Sequence, residues 1–459
     1  MLQKLFNIEA EQAVLGAILF DPQCAELVAR LKASDFSVPE HCEIFAWIEK
    51  DVHAGRKPTP MSIISTLGAM KVGPIDGATY VVRLGSAHDR MTARENLALV
   101  KAMSARRMIE CVGDVLKEQA RDAGQSPRDV SLGAIQALND AVAAERRDFT
   151  KPQMIHEAVR ELVDTLDDPD DGSLISTGLK SLDRFMGGWP RGELSILAGR
   201  PSMGKSALVA ALARRAAMSG VNMMMFSLEM PKKALAARMI SDCAYSSRED
   251  MRVPYADILR KNLSSFQKQR LAAAIDDFTG YPLKIDDQRG LTMPEIQMRA
   301  MRYADELDRK GERLDVIVVD HLGKIRASDR YSGNVTAETG EKSDALMTMS
   351  YELNAAVVAA HQLNRNTEGR EDKHPTPADL RNSGDLEQDA HTLIFPYRQS
   401  YYLERQKLED PEKDRIRLAT LEKKKNLLEI LVSKCRNGAC GTVEVFADMP
   451  SNHVEDLMQ

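Results

Sequence analysis

The chain has 459 residues, 43% of them hydrophobic and 28% charged, the balance of a soluble globular protein rather than a fibrous or disordered one; at about 150 residues per domain that length suggests about three units. No run approaches the ~20 apolar residues of a membrane span, and acidic residues in the opening MLQKLFNIEAEQ argue against an export signal, so a cytoplasmic protein without membrane contacts is expected. A net charge of −6 excludes coating of nucleic acid by bulk positive charge, but not a ring with a basic channel inside an acidic exterior.

From residue 8 to 115 the pattern is helical. Val14, Ile18 and Leu19 recur at helical spacing, as do Leu27, Val28 and Leu31. Turn signals at Asp21-Pro22, Val38-Pro39, Gly55 and Gly73-Pro74 divide the segments. This predicts an all-α N-terminal domain without visible chemistry. Cys24, Cys42, Cys111, Cys243, Cys435 and Cys440 form no Cys-x-x-Cys pair, so reduced thiols are expected and zinc is not. Residues 116–175 read as a connector. Within it, Ile155, Val159, Leu162, Val163 and Leu166 predict an amphipathic linker helix over about 153–166. Its apolar stripe packs either on its own chain or on a neighbouring subunit.

After residue 176 short apolar runs alternate with helical stretches: 193–199, 221–228, 314–320, 355–363 and 391–398. Near-continuous apolar strands separated by helices predict a buried, mostly parallel sheet. Residues 427–436 and 441–447, around Asn437-Gly438, read as a closing hairpin.

The strongest local signal is Gly199, Arg200, Pro201, Ser202, Met203, Gly204, Lys205, Ser206 and then Ala207. It is a G-x-x-x-x-G-K-[ST] loop between a predicted strand and a predicted helix, the context this motif needs. Backbone N–H groups close around phosphates, and the helix N-terminus adds favourable potential. Lys205 is expected on the terminal phosphates and Ser206 on Mg²⁺. Asp320 ends an apolar strand and suits the same Mg²⁺ shell, or merely caps its loop. Glu229, after another strand, suits a base that polarises water, or is an ordinary loop acid. Gln362 is a candidate phosphate sensor by position, or a polar residue leaving the core.

Taken together these residues resemble the bacterial replicative helicase family, DnaB, over nearly the whole chain. IEAEQAVLGAIL and ASDFSVPEHCEIFAWI are similar to its N-terminal signatures. STGLKSLDRFMGGWPRGELSILAGRPSMGKS, FSLEMPKKALAARM, HQLNR, PTPADLRNSGDLEQDA and SKCRNGACGT are similar to its motor. The resemblance implies an α/β, RecA-like ATPase motor (176–459) behind an all-α collar domain (1–115) that interacts with primase. It implies ATP and Mg²⁺ as cofactors, Glu229 as catalytic base and Gln362 as γ-phosphate sensor. Lys434 and Arg436 match the basic pair supplied in trans to a neighbour's ATP, and Arg381, Asn382 and Gly384 fall on the loop that grips the DNA backbone. A homo-hexamer that moves 5′ to 3′ on single-stranded DNA, with primase and a loader, follows from the same resemblance.

The chain departs from the family at several points. A tyrosine-and-glutamine pair usually follows the strand-end aspartate, where this chain has His321-Leu322-Gly323; a small Gly323 is expected to weaken coupling of ATP to the DNA loops. His391 replaces a usual aspartate, and Cys435 separates Lys434 from Arg436. The charged stretch 406–429 is longer than the family's loop, as a solvated helical insertion or a partner contact. Such divergence fits a phage or prophage relative. Two rival readings remain: a RecA-like ATPase that assembles on DNA without unwinding it, and an inactive scaffold that binds nucleotide.

Overall fold

The computed structural model describes residues 5–457 except 22–23, 25–26, 29, 55, 68–70, 88–91, 123, 128–129, 132, 135–136, 139–153, 166–171, 328–333, 364–369, 371, 381–385 and 407–408. The chain divides into two compact units, Met1–Val163 and Asp164–Gln459.

The first unit holds helices α1 (Ile8–Phe20), α2 (Pro39–His53), α3 (Pro60–Leu67), α4 (Gly77–Ala87) and α5 (Ala93–Gln119). Two-residue strands β1 (Lys71–Val72) and β2 (Ile75–Asp76) pair across the Gly73-Pro74 turn. The domain expected to be all-α therefore carries a small hairpin, and α5 runs past residue 115. Val14, Leu15, Ile44, Phe45, Ile48 and Leu84 are fully buried at its centre. Within this core the Glu11 carboxylate accepts from His41 Nδ1–H at 2.7 Å, and His41 Nε2 lies 2.5 Å from the Tyr80 hydroxyl. Ser37 also donates to Glu11, from its N–H at 2.8 Å and its hydroxyl at 2.5 Å. One buried acid thus ties α1 to α2 and, through the imidazole, to α4. Helix α6 (Ile155–Thr165) forms within the expected linker, with Ile155, Val159 and Val163 exposed.

In the second unit β3 (Leu174–Ile175) pairs with β4 (Trp189–Pro190), flanking α7 (Lys180–Met186). The remaining strands are β5 (Leu194–Gly199), β6 (Met223–Ser227), β7 (Leu283–Asp286), β8 (Val316–Asp320), β9 (Ala356–Gln362), β10 (Thr392–Tyr397), β11 (Leu427–Cys435), β12 (Gly441–Asp448) and β13 (His453–Asp456). They form one sheet in the order β13-β12-β11-β10-β5-β9-β8-β6-β7. The six strands from β10 to β7 run parallel, and β11, β12 and β13 add antiparallel pairs at one edge. Side chains alternate between two cores. Val316 and Val318 point into one, Ile317 and Val319 into the other. Both faces are covered, which is why these segments read as unbroken apolar runs.

Helices α8 (Lys205–Met218), α9 (Lys232–Cys243), α10 (Tyr255–Arg260), α11 (Ser265–Ile275), α12 (Met293–Asp308), α13 (Val335–Leu353), α14 (Leu386–Asp389), α15 (Gln399–Arg405) and α16 (Pro411–Lys424) complete the unit. Helix α8 is rich in alanine and buries Ala207, Leu208, Ala210, Ala211 and Ala213, so its backbone packs close to the sheet. Asp242 on α9 joins it to α8 by an ion pair with Arg214 at 2.5 Å, and to β13 through His453 Nδ1 at 2.7 Å. The charged stretch after residue 406 forms α16, capped by Asp410, with no described residue of the helix buried.

Candidate nucleotide site

The parallel strands bring their C-terminal ends to one rim, the place where open α/β sheets bind ligands. Gly199 at the end of β5 stands beside Gln362 at the end of β9, and Ser227 at the end of β6 pairs with Asp320 at the end of β8. Leu228 N–H then donates to Asp320 O at 2.7 Å, which sets Glu229 at the same rim. The loop from Arg200 to Gly204 turns into α8. Gly204 has φ +89, and a Cβ there would lie 3.3 Å from Met449 Sδ. Glycine therefore serves both the left-handed backbone and the close approach.

These ends enclose a cleft of about 360 Å³ lined by Gly199, Arg200, Pro201, Ser202, Gly204, Lys205, Ser206, Ala207, Glu229 and Gln362. That is within the size range of ligand pockets, about 300–1,000 Å³. Met203 is 2% exposed and does not line it. Four lining residues escaped the sequence reading: Arg238, Arg398, Met449 and Asn452. Arg238 donates to Asn452 Oδ1 at 2.5 Å and lies over the Tyr255 ring. Arg398 donates to Ser202 O at 3.3 Å.

Burial sets the electrostatics. It lowers the Lys205 pKa, against the pull of Asp320 and Glu229. It raises that of Asp320, against Lys205. Burial first, then Lys205, brings His321 and His361 down to about 4, so both imidazoles are neutral near pH 7. Asp320 is 3% exposed, and its Oδ1 has no hydrogen-bond partner among the described residues. Asp320 is not among the residues that line the cleft, whereas Ser206 is; a buried, unsatisfied carboxylate oxygen and a serine hydroxyl would together make an all-oxygen donor set of the kind Mg²⁺ takes.

Lys434 and Arg436 are elsewhere. Lys434 Nζ donates to the carbonyls of Glu387 and Gln388, and Arg436 to that of Gln388 at 3.1 Å. Arg436 N–H donates to His391 O, and His391 N–H to Leu194 O, so the pair sits by the start of β5 while the phosphate loop begins at its end. His391 is buried, its Nδ1 3.2 Å from the Thr392 hydroxyl, and burial keeps its pKa low. A neutral ring fills a position where an aspartate would be desolvated. Arg381, Asn382 and Gly384 lie outside the described residues.

A phosphate-type loop at the C-terminal rim of this parallel sheet defines a RecA-like P-loop motor domain. The family model described as the DnaB-like helicase C terminal domain matches residues 174–455, and that of the DnaB-like helicase N terminal domain matches 3–100. The chain is 31% identical to the replicative DNA helicase DnaB of Rickettsia felis and 32% identical to that of Haemophilus influenzae, in both cases over 96% of this chain and 91% of the relative. A DnaB-like replicative helicase, solved in a study of its interactions with primase, superposes with TM-score 0.65 at 26% identity, over 98% of this chain and all of the other. A second solved structure, an ATPase domain, covers 66% of this chain and 99% of its own length, with TM-score 0.55 at 28% identity. The chain belongs to the DnaB-like helicase family, and its function is that of a replicative DNA helicase.

Proposed function

We propose that this helicase hydrolyses ATP with Mg²⁺ at the boundary between protomers of a homo-hexamer and uses the cycle to move 5′ to 3′ along single-stranded DNA. The observation that carries this reading is the convergence of Lys205, Ser206, Asp320, Glu229 and Gln362 on one rim of one sheet. Backbone N–H groups of the loop and the start of α8 bind the β- and γ-phosphates. Lys205 neutralises the terminal oxygens. Ser206 and Asp320 would hold Mg²⁺, which supplies charge neutralisation on the phosphate oxygens. Glu229 accepts the proton of the attacking water. Gln362, uncharged, reads the γ-phosphate at the end of β9. The trans role of Lys434 and Arg436 is supported by their place at the opposite end of the strands, out of reach of the chain's own cleft.

The DNA contacts are proposed for Arg381, Asn382 and Gly384 from the family's motif. The exposed stripe of α6 supports docking on a neighbouring motor. Primase is proposed as a partner because a structural relative was studied with it; a helicase loader and a cytoplasmic location follow from the family. Among the described residues no helix is long and apolar enough to cross a membrane. The test is a forked duplex with a 5′ tail. ATP-dependent strand separation is expected, with none from Lys205→Ala. ATP hydrolysis with filament formation and no strand separation would favour the non-unwinding RecA-like reading, and no turnover at all would favour a scaffold.

A further inference from the structure

The residue after Asp320 does more than continue the loop. His321 caps the short turn Leu322–Lys324, and its Nδ1 accepts from Gly323 N–H at 3.1 Å. A ring nitrogen that accepts carries no proton, so the N–H is on Nε2. That Nε2 lies 3.4 Å from Glu229 Oε2. The two side chains differ in freedom: His321 is 9% exposed and Glu229 50%. A buried donor thus faces a half-exposed acid. The separation is long for an N–H···O bond, and a small rotation of the half-exposed Glu229 closes it, as catalytic hydrogen bonds commonly close when substrate binds.

Gly323 makes room for this. A Cβ at that position would stand 3.0 Å from His321 Cε1 and 3.2 Å from Nδ1. These separations are tighter than ordinary packing, so the imidazole would have to shift by a few tenths of an ångström. The two departures from the family's tyrosine-and-glutamine pair are therefore one arrangement. The glycine expected to loosen coupling also leaves room for the histidine.

We infer that His321 is a positioning residue for Glu229, holding its carboxylate at the cleft through Nε2–H, and that Gly323 is required for that hold. The inference rests on Glu229 being the base of the proposed ATPase. A group that orients the base is the third member of an activated-nucleophile arrangement, and a misplacement of about 1 Å can cost on the order of 100-fold in rate.

The test uses the full chain with single-stranded DNA. His321→Ala should lower kcat on the order of 10- to 100-fold, with KM for ATP and the affinity for a fluorescent ADP analogue within about twofold. His321→Gln, whose amide N–H reaches the Nε2 position, should restore most of the loss. Gly323→Ala should lower kcat in the native background and have little further effect when His321 is already alanine. Undiminished kcat in His321→Ala overturns the inference. So does a kcat loss matched by weaker nucleotide binding, or no rescue by Gln with additive Gly323→Ala. Glu229→Gln run alongside separates the two levels. If it turns over normally, the base assignment falls and the inference with it; if it is dead while His321→Ala is active, only the positioning role falls.

Discussion

Co-expressing Arg436→Ala with Glu229→Gln asks where the cationic group acts. Within one protomer, Arg436 is hydrogen-bonded through His391 to Leu194 at the start of β5, and the phosphate loop starts after Gly199. Six strand residues at about 3.3 Å each put the two roughly 20 Å apart. An arginine side chain does not bridge that span. A cation on the transferring phosphate is worth about 10³–10⁵ in rate, or roughly 4–7 kcal/mol of barrier at about 1.4 kcal/mol per tenfold. Each single variant should therefore be almost inactive. In a randomly mixed ring about one interface in four joins an intact Glu229 to an intact Arg436. Independent sites would then return about a quarter of native single-strand-stimulated ATPase, and coupled sites less. The assay is phosphate release per protomer on purified mixed rings. Native turnover from Arg436→Ala alone would refute the reasoning, as would a mixture no more active than the sum of its parts.

Two further outcomes follow from other parts of the chain. Arg381→Ala should weaken binding of single-stranded oligonucleotides alike for all sequences and reduce the salt slope by about 0.7 for each phosphate it no longer neutralises; fluorescence anisotropy across a salt series measures both, and a strongly sequence-dependent effect contradicts backbone recognition. In the first unit, burial raises the pKa of Glu11, but hydrogen bonds from His41 and Ser37 outweigh it and hold the carboxyl below its ordinary value. A lowered folded pKa contributes stability above the ordinary carboxylate range and loses it as pH falls through the lowered value. Glu11→Ala should cost about 1–3 kcal/mol near neutrality for each buried donor it leaves unsatisfied, and flatten the acid limb. Hydrogen exchange of α1, α2 and α4 reads it; unchanged protection would mean the network is not stabilising.

The parallel core was legible because each strand is buried on both faces, which leaves no polar alternation to confuse the pattern. Strand β7 was not. Its LKID run is partly exposed at the sheet edge, and Lys284 faces outward to pair with Glu306 at 2.6 Å. β13, with Glu455 and Asp456, hides for the same reason. The phosphate loop is written in contiguous residues and needed no structure. Arg238, Arg398, Met449 and Asn452 come from α9, the end of β10 and the β12–β13 turn, and nothing local announces their meeting. A cation within FSLEMPKKALAARM was the one signal available for Arg238. The meeting of His321 with Glu229 depends on the Ser227–Asp320 register, which spacing along the chain does not reveal.

The hairpin that carries Lys434 and Arg436 belongs to the same slab as the phosphate loop. Between β11 and β5 lies a single strand, β10, so these two strands run about 10 Å apart across the hydrogen-bonded ladder. In the proposed ring, a tug on the hairpin tip by a neighbour's phosphate would enter β11 and pass through β10 to β5, which leads into the phosphate loop. The β10–β11 pairing on that route shifts register between Leu393 and Ile394. In a ring, each sheet would then behave as a stiff crank, passing news of one fuel site to the next.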